Sequence, residues 1–355
     1  MKKFLKWTGI TSVSLVILSG IFLLISYSYN KYAVEKWLEN PKPPGQMINI
    51  GTHKLYATVK GGGFPAVILL PGGGAFSWGW WDIQDELAKT TKVVTYDRAG
   101  FGWSEASPEP YSSKQIVTEL HTLLQKLAID PPYIVVGVSM GGIYTKHFAK
   151  LYPKEMSGVV FVDPSAEEEE KLRDPKNQQA ALRQSEKTSR NEISARLGLF
   201  RFYAGYLLRM HKVPEFQRSF GVEALSNPIQ HKQFSKHFAS VYRIDNNHYL
   251  NAPTGFPDVP VKVIVQDNEV TIKYAHEVGE INKGNPEQKV RAYLKAAKAR
   301  QRKDYMTLSN NSEWILAKGS GHNIQFDRPD LVLNSVNKII RDIKNSKQDM
   351  SDRKN

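Results

Sequence analysis

A serine framed by glycines is the residue whose surroundings most clearly indicate chemistry. Gly137-x-Ser139-x-Gly141 follows the apolar run from Tyr133 to Val136 and precedes a segment typical of a helix. Small flanking residues allow a sharp turn between strand and helix, and such a turn lifts a serine hydroxyl clear of the sheet. Because a serine hydroxyl is a weak nucleophile alone, it needs a neighbouring base to accept its proton. The pattern predicts Ser139 as a nucleophile.

The predicted base is His322, in the segment Gly319-Ser320-Gly321-His322-Asn323. This segment follows the last expected strand and precedes the last expected helix. Loops that leave the carboxyl ends of parallel strands meet at one edge of the sheet, so His322 can return to the side of Ser139. Histidines in predicted helices, in an early strand or in residues 165–255 fit this geometry less well.

An acid should orient the imidazole and stabilise its protonated form. Asp163 ends the apolar run that follows the nucleophile helix, and Asp267 and Glu269 follow the next run, which ends at Val265. All three acids stand between Ser139 and His322 in chain order, one of the orders in which such sites occur. The residues alone leave the three candidates open.

Two backbone N–H groups should stabilise the negative charge that develops on the attacked carbonyl oxygen. The expected donors are Met140, directly after the nucleophile, and Gly73, in the run Pro71-Gly72-Gly73-Gly74 after an apolar strand. The alternative interpretation of this loop is a dinucleotide-binding turn, but that pattern would place a glycine where the chain has Ser77. No cofactor is predicted. The chain has no cysteine, which excludes thiolate metal sites and cysteine nucleophiles, and no metal site is predicted.

Four motifs in this order resemble the α/β-hydrolase superfamily over residues 46–343. They are the apolar strand with its glycine loop, the elbow around Ser139, the histidine loop with Arg328-Pro329, and the run Tyr96-Asp97-Arg98-Ala99-Gly100-Phe101-Gly102-Trp103-Ser104. Two departures stand out. Pro71 replaces the usual histidine, and the glycine that usually begins the acid motif is missing from Gln266-Asp267-Asn268-Glu269.

The resemblance implies a mostly parallel sheet flanked by helices, an inserted helical cap, and hydrolysis through an acyl-enzyme. The scissile bond would be an ester, or else an amide or peptide bond. Asp163 resembles the acid of members that carry it one strand earlier and is therefore preferred to Glu269. A serine nucleophile argues against the dehalogenase and epoxide-hydrolase branches, which use aspartate. Two alternatives remain: a non-catalytic, membrane-tethered binding protein of the same fold and, less favoured, cofactor-independent peroxidation chemistry.

Buried runs that alternate with helical segments predict a parallel sheet. The hydrolase core is expected over 46–164 and 256–343, with a disordered tail at 344–355. Residues 165–255 break this rhythm and predict a helical cap, with one apolar side formed by Leu197, Phe200, Ala204, Leu207 and Leu208. The cap would set the substrate, expected to be a small-molecule or lipid-like acyl compound.

The first 30 residues predict a membrane anchor. Lys2, Lys3 and Lys6 precede an uncharged run from Trp7 to Asn30, which is long enough to cross a bilayer. A cleaved signal peptide is the alternative, but no Ala-x-Ala site follows the run. Lysines before the span place the N-terminus in the cytoplasm and the catalytic domain outside. Residues 31–45 are expected to be a linker.

The net charge is +13 at pH 7. This charge favours an anionic membrane or cell-wall surface, or simply a solvated basic surface. No nucleic-acid motif accompanies it, so nucleic acid is not an expected partner.

Overall fold

A computed structural model of the chain describes residues 2–40, 45–165, 179, 183, 190–210, 213, 215–241, 255–277, 279, 281 and 286–352. The chain forms two compact units. The sheet unit comprises Lys42–Leu182 and Lys236–Asn355, and the helical unit comprises Met1–Pro41 and Arg183–Ser235.

The sheet unit is built on eight strands in the order β1-β2-β4-β3-β5-β6-β7-β8. The first two strands pair in antiparallel fashion, and β2 is also antiparallel to β4, whereas all pairs from β4 through β3 to β8 are parallel. The strands are β1 (Gln46–Asn49), β2 (Lys54–Lys60), β3 (Ala66–Leu70), β4 (Val93–Tyr96), β5 (Tyr133–Val138), β6 (Met156–Val162), β7 (Val261–Gln266) and β8 (Ser312–Ala317).

Helices cover both faces of this sheet, which explains why its central strands are continuous apolar runs. They are α2 (Trp81–Leu87), α3 (Ser113–Lys126), α4 (Met140–Leu151), α8 (Asn268–Glu277), α9 (Glu287–Met306), α10 (Ile324–Asp327) and α11 (Pro329–Asp352). Leu120 of α3 and Phe148 of α4 belong to the core on one face, whereas Ile83 of α2 and Val336 of α11 belong to the core on the other. The predicted α/β-hydrolase architecture is therefore observed.

The helical unit contains α1 (Lys2–Glu39), α5 (Leu199–Met210), α6 (Glu215–Ser226) and the first turns of α7 (Pro228–Val241). Residues 190–196 are also helical. One described helical stretch, Ile10–Glu39, is long and apolar enough to cross a membrane. Residues 166–178, 184–189 and 242–254 of the expected cap lie outside the described residues. The expectation that the cap covers the sheet stays a prediction.

Two expected boundaries differ from the structure. Residues 31–39, expected as part of the linker over 31–45, continue α1, because the first proline after the apolar run is Pro41. The tail expected at 344–355 is helical as far as Asp352, since no glycine or proline interrupts α11 after Pro329. In both places, residues expected outside a regular element extend an existing helix.

A buried amide joins α1 to the rest of the helical unit. The Asn30 side chain is 2% exposed, and its Nδ2 donates to the carbonyl oxygens of Ala195, at 2.8 Å, and Ser226, at 3.0 Å. Arg201 Nε donates to Asn30 Oδ1 at 3.1 Å. Because unpaired buried carbonyls are costly, Asn30 stabilises three segments at once.

We expect Asn30→Ala to destabilise the helical unit by roughly 1–3 kcal/mol, because Ser226 O loses the Asn30 amide and Ala195 O keeps only the N–H of Gly198. Thermal unfolding of the full chain in detergent, combined with limited proteolysis, measures the effect. Lys31→Ala, at an exposed neighbouring position, is the matched control and should melt like wild type. Equal melting of Asn30→Ala and Lys31→Ala would show that the amide contributes nothing.

Candidate active site

Ser139 stands between β5 and α4 in a strained backbone conformation. Its φ is 54° and its ψ is −122°, a combination that non-glycine residues rarely adopt and that the surrounding structure must enforce. Ser139 N donates to Val162 O at 3.0 Å, and Ser139 O accepts from the N–H groups of Gly142 and Ser165. These bonds hold the turn expected of a nucleophile elbow.

The two glycines of the motif are required by close backbone approach. A Cβ on Gly137 would lie 2.4 Å from the carbonyl oxygen of Gly141, and a Cβ on Gly141 would lie 2.7 Å from Leu70 O. Both contacts are far shorter than real Cβ atoms make. The steric reason inferred from the sequence is therefore present in the structure.

His322 and Asp163 meet at the carboxyl edge of the sheet. Asp163 Oδ2 lies 2.6 Å from His322 Nδ1, a short separation of the kind that charge-assisted hydrogen bonds favour. Asp163 is almost fully buried, whereas the imidazole is half exposed. The carboxylate therefore binds Nδ1 of the imidazole and leaves Nε2 available to accept a proton.

The second oxygen of Asp163 is held by groups that the sequence did not single out. Oδ1 accepts from Gln266 N at 3.2 Å and from Gln301 Nε2 at 3.3 Å, and the same Gln301 amide donates to Pro164 O. Asp163 also has a positive φ of 38°, so its backbone is strained as well. Gln301 lies on α9, 138 residues from Asp163, and no local pattern marks it.

Opposing effects act on the pKa of His322. Desolvation lowers this pKa, but the hydrogen bond to Asp163 and the negative charge of that carboxylate raise it by more. The result is a pKa above the ordinary value of 6.5. Asp163 therefore makes the imidazole a stronger base than a free histidine.

Two other acids hold the loop that carries His322. Asp267 Oδ2 accepts from Gly319 N at 3.1 Å, and Asp267 N donates to Ser320 O at 2.8 Å. Asp327 Oδ2 accepts from Gly321 N and from Ser320 Oγ, both at 3.2 Å. Asp267 thus anchors the histidine loop from the adjacent strand end.

Glu269, the alternative acid, is not brought to the imidazole. Its carboxylate is exposed and forms a two-pronged ion pair with Arg291, with N–O distances of 2.6 and 3.0 Å. The hydrogen bonds from Arg291 lower the pKa of Glu269. Glu269, at the position where the acid is more usual, therefore pairs with Arg291 at the surface. Asp163 is the acid that contacts His322.

The glycine loop lies against the elbow. A Cβ on Gly72 would be 3.4 Å from Ser139 Cβ, and a Cβ on Gly73 would be 2.4 Å from Met140 Sδ. Met140 is the first residue of α4, so its N–H has no acceptor within the helix. Met140 thus adjoins Ser139 and Gly73 lies against Met140, while the oxyanion role of both stays a prediction.

A buried arginine orients this loop. Arg98, 1% exposed, donates through its guanidinium to the carbonyl oxygens of Pro71 and Gly72. In a planar trans peptide the C=O and N–H groups point in opposite directions. The N–H of Gly73 therefore points away from the guanidinium that binds Gly72 O. The motif around Arg98 was recognised in the sequence, but this contact was not.

A second serine lies beside the candidate nucleophile. Ser165 Oγ is 3.4 Å from Ser139 Oγ, and Ser165 O accepts from the hydroxyl of Tyr305 at 2.6 Å. Ser165 follows Asp163-Pro164, and nothing in its local pattern distinguished it. Among the residues that the structure describes, no group of three histidine, aspartate or glutamate side chains could hold a metal ion.

A family model described as alpha/beta hydrolase fold matches residues 65–329, which is more than half of the chain. The chain therefore belongs to the α/β-hydrolase fold family. Solved structures agree. An esterase from Thermogutta terrifontis is 18% identical with a TM-score of 0.56, covering 84% of this chain and 98% of its own. A putative epoxide hydrolase mutant from Pseudomonas aeruginosa is 17% identical with a TM-score of 0.64. The match covers 86% of this chain and 99% of that hydrolase. At these identities the likeness concerns the fold.

Curated relatives match over different lengths. The probable transporter efuK of Hormonema carpetanum is 33% identical over 34% of this chain and 18% of its own length. The Bacillus subtilis protein YbdG is 26% identical over 43% of this chain and 49% of its own length. An AB hydrolase superfamily protein of Gibberella zeae is 24% identical over 78% of this chain and 86% of its own length. The chain thus spans less than half of the first two relatives and most of the third.

The raised pKa of His322 predicts a specific pH profile for ester hydrolysis. Only neutral imidazole can accept a proton, so kcat/KM should fall as the pH drops through a value above 6.5. Asp163→Asn should move this midpoint to lower pH, because it removes the group that raises the pKa. Steady-state rates with a soluble ester between about pH 5 and pH 9 test this.

Glu269→Gln serves as the matched control, since its carboxylate pairs with Arg291, and its midpoint should equal that of wild type. A wild-type midpoint at or below 6.5 would contradict the expectation, as would a midpoint that moves in Glu269→Gln and not in Asp163→Asn.

Proposed function

We propose that this chain is a membrane-anchored serine hydrolase that cleaves a carboxylic ester through an acyl-enzyme intermediate. The observation that supports this most directly is the 2.6 Å contact between Asp163 and His322, at the sheet edge that also carries Ser139. Family membership and the esterase among the similar folds are consistent with it. Because Ser139 stands at the elbow instead of a carboxylate, the proposed covalent intermediate is an acyl ester.

In the proposed reaction, His322 donates its Nδ1–H to Asp163 and so keeps the Nε2 lone pair free. Nε2 accepts the proton of Ser139 as Oγ attacks the carbonyl carbon. The resulting oxyanion would accept hydrogen bonds from the N–H groups of Gly73 and Met140. The alcohol leaves with the proton from Nε2, and a water activated by the same nitrogen then hydrolyses the acyl-enzyme.

The membrane part of the proposal rests on α1. Its uncharged run is long enough for the hydrocarbon core of a bilayer, and lysines at positions 2, 3 and 6 favour a cytoplasmic N-terminus. The sheet unit would then lie outside the cytoplasm. A substrate with a lipid-like acyl group suits an enzyme held at a membrane.

Ser139→Ala should lower ester turnover by on the order of a million-fold, and His322→Ala should lower it similarly, because nucleophile and base act as a unit. Asp163→Asn should lower ester turnover roughly ten-thousand-fold, because it favours the wrong tautomer of the His322 imidazole. Glu269→Gln should retain most activity. A p-nitrophenyl ester series of graded acyl length measures the rates, and circular dichroism verifies folding.

Labelling by a fluorophosphonate probe separates catalysis from mere binding. Wild type should be labelled and Ser139→Ala should not. An unlabelled wild type would favour the non-catalytic alternative. If Glu269→Gln lost its esterase activity while Asp163→Asn kept it, the choice of acid would be reversed. Turnover of amides or peptides in preference to esters would correct the substrate class.

For the anchor, we expect the full-length chain to sediment with membranes and to resist extraction by high salt and by alkaline carbonate. Protease added to intact cells should digest the sheet unit, because the proposed orientation places it outside. A chain in which Leu18→Arg places a charge in the uncharged run of α1 should integrate less well. Release by salt, or a mature protein that begins near residue 30, would contradict the anchor.

A further inference from the structure

The helix proposed to anchor the chain has two different halves. Side chains from residue 10 to residue 25 are almost all exposed. Farther along, Ser26, Asn30, Val34 and Trp37 are buried at spacings of four, four and three residues, which place them on one helical face. The second half of α1 is therefore a packed element of the helical unit, while the first half is mostly exposed and contacts the unit near its end, through Phe22.

A glycine brings α5 close to this packed face. Gly198, with a φ of +75°, lies so near α1 that an added Cβ would be 2.5 Å from Ser26 O. Arg201, three residues later, pairs with Glu223 at 2.6 Å and lies over the ring of Tyr29. These contacts fix α5 beside the point where α1 emerges from the helical unit.

One side of α5 is apolar yet exposed. Phe202, Tyr203 and Tyr206 are 69%, 38% and 57% exposed, and we call these three residues the aromatic face. The opposite side of the helix, with Ala204 and Leu208, is buried. Large exposed aromatic side chains grouped on one helix usually mark an interaction surface.

Phe202 sets the depth of the aromatic face along α1. Its ring stacks on that of Phe22, with centroids 5.8 Å apart. A hydrocarbon core about 30 Å thick takes about 20 helical residues. Even if that core begins as early as Trp7, it extends to about Ser26, which is roughly 6 Å beyond Phe22 at 1.5 Å per residue. Phe202 would then lie inside the hydrocarbon boundary.

We propose that the aromatic face of α5 is inserted into the bilayer interface beside the membrane-spanning half of α1. This inference rests on the proposed anchor. A lipid surface suits the composition, because tyrosines are enriched where hydrocarbon meets headgroups, and Arg209, exposed one turn after Tyr206, can reach lipid phosphates. The depth at Phe202, at least about 6 Å, agrees with the 5–10 Å typical of interfacial helices.

The natural absence of cysteine allows a direct test with single nitroxide labels. Phe202→Cys and Tyr206→Cys report on the aromatic face. Leu18→Cys, exposed in the proposed span, is the lipid reference, and Tyr293→Cys, exposed on α9 of the sheet unit, is the water reference. Each full-length variant is placed in vesicles of phosphatidylcholine and phosphatidylglycerol. Collision rates with oxygen and with a water-soluble nickel complex are then measured.

Labels at 202 and 206 should collide with oxygen several-fold more than the label at 293, and several-fold less with nickel. Nickel contact equal to that at 293, with a lipid-like label at 18, would overturn the inference and leave the anchor standing. A water-like label at 18 would overturn both. Protection from both reagents with dipolar broadening between labels would show that a second copy covers the face, which also overturns the inference.

Discussion

The bond between His322 Nδ1 and Asp163 Oδ2 can form only if two distant strands end at the same edge of the sheet in the right register. Asp163 directly follows β6, while His322 lies on the loop after β8, two strands away. The intervening strand, β7, supplies Gln266 N to Asp163 and, just past its end, Asp267 to the histidine loop. The parallel pairing of three strands thus sets the distance between acid and base.

The sequence was informative where chemistry and fold use the same local pattern. The elbow around Ser139 is short, depends on two glycines, and can be recognised from five residues. The choice of acid was harder, because Asp163 and Glu269 both follow buried strands. Arg291, which pairs with Glu269, lies 22 residues farther along, and Gln301, which supports Asp163, lies 138 residues away. Partners separated in this way are set by tertiary packing and leave no local signal.

Two residues with positive φ, Ser139 and Asp163, lie at the ends of adjacent strands. Each such conformation costs of order 1–3 kcal/mol. The cost is offset by backbone bonds across the strand ends, where Ser139 N meets Val162 O and Asp163 N meets Ile264 O. The candidate site therefore stores strain at the ends of two central strands, where the sheet can hold it.

The two halves of α1 differ in how freely they could change during evolution. Where side chains are exposed, from residue 10 to residue 25, one apolar residue could replace another with little effect on the helix, except at Phe22, whose ring stacks on Phe202. From Ser26 onward, one face must match Gly198, Ala195 and Ser226, with an amide at position 30 to satisfy two carbonyl groups. A segment of this kind cannot be exchanged for an unrelated apolar helix or for a lipid modification, because the proposed tether is also a packed part of the helical unit.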